Sequence, residues 1–219
     1  MFITCFLNPF DPILEILFPS RKIIRKLFDM FKAKKKILVL GMPQSGKTTF
    51  HGIFKKNKVQ ASEYTATPNT KDVEECTIKY KDHAPIILGK SKDIPGDIDK
   101  QINALNKDVQ TFFSNKNGLI IYIVNCVDLG KEAQIEHAAR VLTIAFDAYQ
   151  SAKVAIVYSH PDEIEEKSLK KIHDTFYMSL YNKGYTDTAH RVKVANHYLI
   201  NLISDNALGK IVEIFDDTK

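Results

Sequence analysis

Cysteine is scarce in this 219-residue chain, and the three that occur, Cys5, Cys76 and Cys126, are odd in number and far apart. They form no C-x-x-C pair and have no histidine at metal-ligand spacing. That excludes a disulfide scaffold and a zinc motif, and it reads as a reduced, intracellular protein. Cys5 either accepts an acyl chain or packs as a small hydrophobe. Long hydrophobic runs are missing as well. The most apolar stretch, MFITCFLNPFDPILEILF, is interrupted by Pro9, Asp11, Pro12 and Glu15, whereas a membrane-spanning helix needs about 20 apolar residues. No basic segment precedes it and no small-residue cleavage site follows it, so it does not read as a secretory signal. Arginine is rare past Lys36, where only Arg140 and Arg191 occur. The chain has no internal repeat and no low-complexity tract.

What is present is charge, unevenly placed. The chain holds 31 Lys plus Arg against 26 Asp plus Glu, a formal net charge of +5. Eight of those basic and three of those acidic residues fall in residues 1–36, so the remainder is neutral, with 23 of each sign. A basic total would suggest a nucleic-acid partner, but an excess confined to the first sixth of the chain does not. Residues 21–36 put Ile24, Leu27, Phe28 and Phe31 on one helical face with Lys and Arg mostly elsewhere, behind an apolar leader. This pattern predicts an amphipathic basic extension over residues 1–35. It suits an interfacial helix on anionic lipid, or a helix folded onto the domain's own or a partner's surface.

From residue 36 onward, apolar strands alternate with amphipathic helices. The patterning predicts strands at 37–40, 119–125, 154–158 and 197–203, with an antiparallel pair at 72–80 and 85–88. Helices are predicted at 46–57, 97–114, 131–149, 164–181 and 207–215. The expected fold is α/β: a three-layer sandwich whose six-stranded, mostly parallel sheet has one antiparallel strand and about five helices. Ligands of such sheets bind at the carboxyl ends of the strands.

One motif stands at such an end. Gly41-Met-Pro-Gln-Ser-Gly46-Lys47-Thr48 satisfies G-x-x-x-x-G-K-[ST] between an apolar strand and a helix. The glycines let successive N–H groups and the helix N-terminus point at phosphate oxygens. Gly41, Gln44, Ser45, Gly46, Lys47, Thr48 and Thr49 are the candidate nucleotide cradle. Lys47 is placed to reach the β and γ phosphates, and the Thr48 hydroxyl to ligate Mg²⁺. The motif alone does not separate ATP from GTP.

The order of later motifs resembles the Ras-like small GTPases of the P-loop class, and most closely the branch of Arf and the signal-recognition-particle-receptor β-subunit. The likeness covers roughly residues 35–215, so residues 36–219 are expected to form a Ras-like G domain. Asp93-Ile-Pro-Gly96 matches D-x-x-G. The resemblance implies that Asp93 holds Mg²⁺ through water and that the Gly96 amide senses the γ-phosphate. The switch threonine that closes over Mg²⁺ is expected in residues 65–70, with Thr70 the best fit and Thr67 open. Lys47, Thr70 and Gly96 are thus the expected catalytic group, and Thr48, Thr70 and Asp93 the metal group. Where the family has N-K-x-D, this chain has Ser159-His160-Pro161-Asp162. A carboxylate at Asp162 can accept both N1–H and N2–H of guanine, whereas the missing Asn and Lys are expected to weaken loop ordering. A plain turn is the competing reading. Ser204-Asp205-Asn206 occupies the place of the family's S-A-x loop, where only Ser204 matches.

Hydrolysis departs from the family. Asp97 replaces the water-positioning Gln, and with two arginines past Lys36 no arginine finger in cis is evident; such fingers are worth roughly 10³–10⁵ in rate. The expectation is a cytoplasmic GTP/GDP-binding switch with slow turnover, peripheral at the cytoplasmic membrane face and read by an unidentified effector or GTPase-activating partner. The alternatives are a nucleotide-bound scaffold with little hydrolysis and a P-loop kinase. Kinases gather arginines around the transferred phosphoryl group, and this domain has too few.

Overall fold

Alternating side chains on the buried strands decide the layering. A computed structural model describes residues 35–56, 71–83, 85–112, 118–148, 153–165 and 168–217. The predicted extension before Lys35 and the candidate switch threonines Thr67 and Thr70 lie outside the described residues. Strand β1 (Lys36–Gly41) sends Ile37 and Val39 to one face and Leu38 and Leu40 to the other, all buried. Strand β6 (Gly118–Asn125) divides likewise, with Leu119, Ile121 and Ile123 opposite Ile120, Tyr122 and Val124. Both faces must therefore be covered. Helices α1 (Lys47–Lys56) and α6 (Ala207–Asp217) cover one, through Phe50, Ile53, Ile211 and Phe215. Helices α2 (Ile98–Phe112), α3 (Glu132–Ala148), α4 (Leu169–Asn182) and α5 (Thr186–Val194) cover the other, through Leu105, Leu142, Phe176 and Val192. Each such side chain contributes about 1.5–3 kcal/mol on burial.

The remaining strands are β2 (Lys71–Val73), β3 (Cys76–Ile78), β4 (Ile86–Leu88), β5 (Ser91–Asp93), β7 (Lys153–Ser159) and β8 (Asn196–Leu199). The main sheet runs β2-β5-β1-β6-β7-β8, parallel except for β2 against β5. This is the expected three-layer sandwich, with six α-helices among the described residues where about five were predicted. None of them is long and apolar enough to cross a membrane.

The predicted antiparallel pair is a single hairpin broken in two. Val73 lies opposite Ser91 and Cys76 opposite Leu88, so both ladders keep one register. On the other side Lys35 lies beside Leu88 and Val39 beside Asp93. Five steps along the β4–β5 strand therefore match four along β1, and the extra residue interrupts pairing at Gly89 and Lys90. Three further elements differ from the sequence reading. Ile164 is extended rather than helical, following a 3₁₀ turn at Pro161–Glu163, and α4 begins only after Ser168. Strand β8 stops at Leu199 instead of 203, because Asn201 turns the chain by accepting from the Ile203 amide through its side chain. Helix α5 corresponds to none of the elements the patterning predicts. Cys126 is buried, which pushes its thiol up to about 12 and leaves it inert.

Candidate functional site

The phosphate loop leaves β1 where the sheet order reverses direction, with β5 on one side and β6 on the other. Gly41 takes φ 145° and Gly46 φ 97°. A Cβ at Gly41 would stand 2.5 Å from the Ile123 carbonyl oxygen, and one at Gly46 would stand 2.6 Å from Leu202 Cδ1. Gln44 also has positive φ, at 63°, and is exposed. Ser45 is fully buried, its amide donating to the Met42 carbonyl at 3.3 Å. Thr49, half-buried, sits in the first turn of α1.

Lys47 is 6% exposed, and its Nζ donates to the carbonyls of Gly41 (2.9 Å) and Met42 (2.6 Å). Burial lowers its pKa to about 8, partly offset by the Asp93 carboxylate. The site thus holds a desolvated cation against two dipoles, an arrangement that an anion would complete. Thr48 Oγ1 donates to Asp93 Oδ2 at 3.0 Å, so the strand-end carboxylate and the helix hydroxyl converge. Hard oxygen donors of this kind fit Mg²⁺, which takes one or two protein ligands and completes its shell with water and substrate phosphate. Among the described residues no group of three or more His, Cys, Asp or Glu could hold a metal alone.

The D-x-x-G segment lies directly on the phosphate loop. A Cβ on Gly96 would stand 2.1 Å from Pro43 N and 2.5 Å from Met42 C, so no other residue fits this contact without moving backbone. Asp97, in the place of the family's Gln, accepts the Lys100 amide at 2.9 Å through Oδ1 and caps α2. Two buried side chains missed by motif reading hold the segment from behind. Gln101 on α2 donates from Nε2 to the Gly41 carbonyl (2.6 Å) and the Pro95 carbonyl (2.9 Å), and its Oε1 accepts the Gly41 amide (3.3 Å). His137 on α3 donates from Nε2 to the Gly96 carbonyl (3.1 Å), and its Nδ1 accepts from the Tyr122 hydroxyl (2.7 Å).

At the end of β7, where base recognition is expected from the resemblance, Ser159 supplies order that the absent Asn was expected to cost. Its buried hydroxyl reaches the Ser45 carbonyl at 2.9 Å and the Val124 carbonyl at 3.2 Å, tying the end of β7 to the phosphate loop and to β6. Ser159→Ala is expected to cost about 1–2 kcal/mol, the penalty of a buried carbonyl losing its donor, read as a lower urea midpoint at unchanged slope. His160 is left-handed at φ 56°, and its Nδ1 meets Glu163 Oε1 at 2.9 Å. Asp162 is exposed within the following 3₁₀ turn. Ser204 Oγ donates to the Asn201 carbonyl at 2.8 Å, stabilising the turn that carries Leu202 against Gly46.

With this geometry, likeness to known proteins becomes informative. The mammalian signal recognition particle receptor has a chain of similar fold, at TM-score 0.62 and 13% identity, covering 84% of this chain and 100% of that one. The signal recognition particle receptor SRb-GTP/SRX complex from Chaetomium thermophilum has another, at TM-score 0.54 and 11% identity, covering 85% and 99%. At such identities the likeness establishes the fold alone. No curated protein matches in sequence. The profile of the Gtr1/RagA G protein conserved region matches residues 36–205. That span runs from the first strand past Ser204 and takes in most of the chain, which belongs to the Gtr1/RagA G protein family.

Proposed function

We propose that this GTP-binding protein is a guanine-nucleotide switch with slow intrinsic turnover. The observation that carries the reading is the convergence of Lys47, Thr48 and Asp93 at the carboxyl end of β1 and β5. Thr48 and Asp93 would hold Mg²⁺, joined in the resemblance by Thr70. The ion would offset charge on the β and γ phosphates. Lys47 would bind the same phosphates, and Gly96 packs on Met42 and Pro43 of the loop. Slow turnover is supported by Asp97, whose carboxylate is engaged at the N-terminus of α2 instead of positioning water. It is supported too by the paucity of arginine past Lys36. Asp162 is exposed next to the Ser159 tie, where a carboxylate can select guanine. Residues 1–36 concentrate the positive charge and provide the proposed docking element for an anionic membrane surface. The SRb-GTP/SRX complex lends the expectation of a protein partner, whose identity is open.

Guanine nucleotide is expected to co-purify with the protein. Single-turnover hydrolysis of GTP with Mg²⁺ is expected to run at least about 10³-fold below a partner-stimulated rate. Adenine in the denatured extract would overturn the assignment of Asp162, and fast unassisted turnover would overturn the slow switch. The engaged Asp97 also fits a second reading, a nucleotide-bound scaffold. Identical hydrogen exchange of residues 71–75 and 93–100 with GTP and GDP would favour it.

A further inference from the structure

The D-x-x-G segment is fastened to the phosphate loop by a side chain that no motif includes. Gln101 is fully buried, and its amide spends both ends on two backbone segments far apart in sequence. Through Gly41 it grips the first residue of the phosphate loop, on both N–H and C=O. Through the Pro95 carbonyl it grips the peptide that carries the Gly96 amide. Since a trans peptide sets C=O and N–H on opposite sides, the hold on Pro95 also fixes the direction of that amide. The fastened position leaves no gap, for Gly96 rests on Met42 and Pro43 so closely that even a methyl group would collide with backbone.

We propose that Gln101 is a specificity-determining residue that favours nucleoside diphosphate over triphosphate by latching the D-x-x-G segment onto the phosphate loop. The inference rests on the reading of this site as a guanine-nucleotide site. A terminal phosphoryl group admitted beside Lys47 and met by the Gly96 amide requires Gly96 to lift from Met42 and Pro43. Lifting it pulls the Pro95 peptide away from Gln101, whose other bonds keep it on Gly41. A latch that stabilises only the closed arrangement lowers triphosphate affinity by the fraction of molecules it keeps closed, and leaves diphosphate affinity untouched.

Gln101→Met keeps length and removes every hydrogen bond. Gln101→Leu removes the same hydrogen bonds with a different apolar shape. Affinities of the full chain for GTP and GDP with Mg²⁺, measured by competition with a fluorescent guanine nucleotide, give the test. The ratio of GTP to GDP affinity is expected to rise at least fivefold in both variants, with GDP affinity unchanged within twofold. Should one variant fail to fold, the other carries the measurement. A parallel loss of both affinities would mean that Gln101 serves packing alone, and a fall in the ratio would mean that it prepares the segment for triphosphate; either result overturns the latch. A wild-type chain that binds neither nucleotide would instead refute the functional reading, and the latch with it.

Discussion

Lys47→Met is expected to weaken nucleotide binding at least about 100-fold while leaving the nucleotide-free fold as stable as the wild type or slightly more so. The opposite signs follow from one fact, the burial of an ammonium group at 6% exposure. Burial lowers its pKa from 10.5 to about 8, with Asp93 only partly compensating. Near neutral pH the folded state therefore carries a charge at a cost of about 3 kcal/mol, at 1.36 kcal/mol per unit. Methionine removes that cost and has similar length, but leaves the Gly41 and Met42 carbonyls without the Nζ donor, a loss of about 1 kcal/mol each. The balance is a gain of about 1 kcal/mol. In the wild type, stability also climbs as pH rises from about 8 towards 10.5, because there the unfolded chain binds the extra proton. The variant lacks this climb. Binding moves the other way. A charge-assisted contact to phosphate in a desolvated site is worth several kcal/mol, and its loss weakens affinity at least about 100-fold. Thermal unfolding with and without GTP and Mg²⁺ checks both halves. At 100 times the wild-type Kd the wild type gains about 2.7 kcal/mol, and the variant should gain no more than about 0.4 kcal/mol. A variant that is much less stable without nucleotide would show that Lys47 is a structural rather than a ligand-binding charge.

Much of the fold was legible because burial on two faces leaves a plain mark in sequence. Residues 119–125 read as one strand, since every position from Leu119 to Val124 is apolar and buried. The phosphate loop was legible because its glycines meet a backbone requirement that is local: Gly41 and Gly46 fail with any Cβ. What escaped was set by packing between distant segments. The hairpin break depends on a one-residue mismatch with β1, which no pattern within residues 71–93 discloses. Helix α5 buries only Thr188, Ala189 and Val192, too few apolar positions to announce a period. Leu202 and Ile203 looked like strand continuation, yet Leu202 is buried because it packs on Gly46. At the site, Lys47 and Thr48 could be named from the motif spacing, and Asp93 and Ser159 from the resemblance, whereas Gln101 and the particular ties that Ser159 makes could not, because each works by reaching backbone carbonyls of another segment. The spacing of tyrosine and histidine carries one further signal. Tyr122 and His137, and again Tyr158 and His173, are 15 residues apart in successive strand–helix units, and each pair shares a buried hydrogen bond.

The first of those pairs gives the second large effect, an acid instability centred on His137. Its ring is 5% exposed and bridges the Tyr122 hydroxyl to the Gly96 carbonyl, which the neutral tautomer with its proton on Nε2 satisfies at both nitrogens. Burial lowers its pKa from 6.5 to about 4; the Gly96 hydrogen bond and Asp97 oppose the shift, and the charges of Lys47 and Arg140 add to it. The Tyr122 hydroxyl can rotate to accept from a protonated ring, so the penalty is desolvation of charge and not a broken bond. Between pH 6.5 and about 4 the unfolded chain binds a proton that the folded chain refuses, so stability falls as pH falls through that window. The total is about 3 kcal/mol, at a limiting slope of about 1.4 kcal/mol per pH unit. His137→Gln retains an Nε2 donor for the Gly96 carbonyl and cannot titrate. It is expected to start somewhat less stable at pH 7, because the Tyr122 hydroxyl loses its acceptor, and then to lose less on acidification, so that the two curves converge or cross near pH 4. Urea unfolding of both proteins at half-unit steps reads the difference directly. Equal slopes from pH 7 to 4 would place the titration elsewhere and detach His137 from acid stability. A shallower slope in the variant would tie protonation to the side chain that holds Gly96, and with it to the segment lying on the phosphate loop.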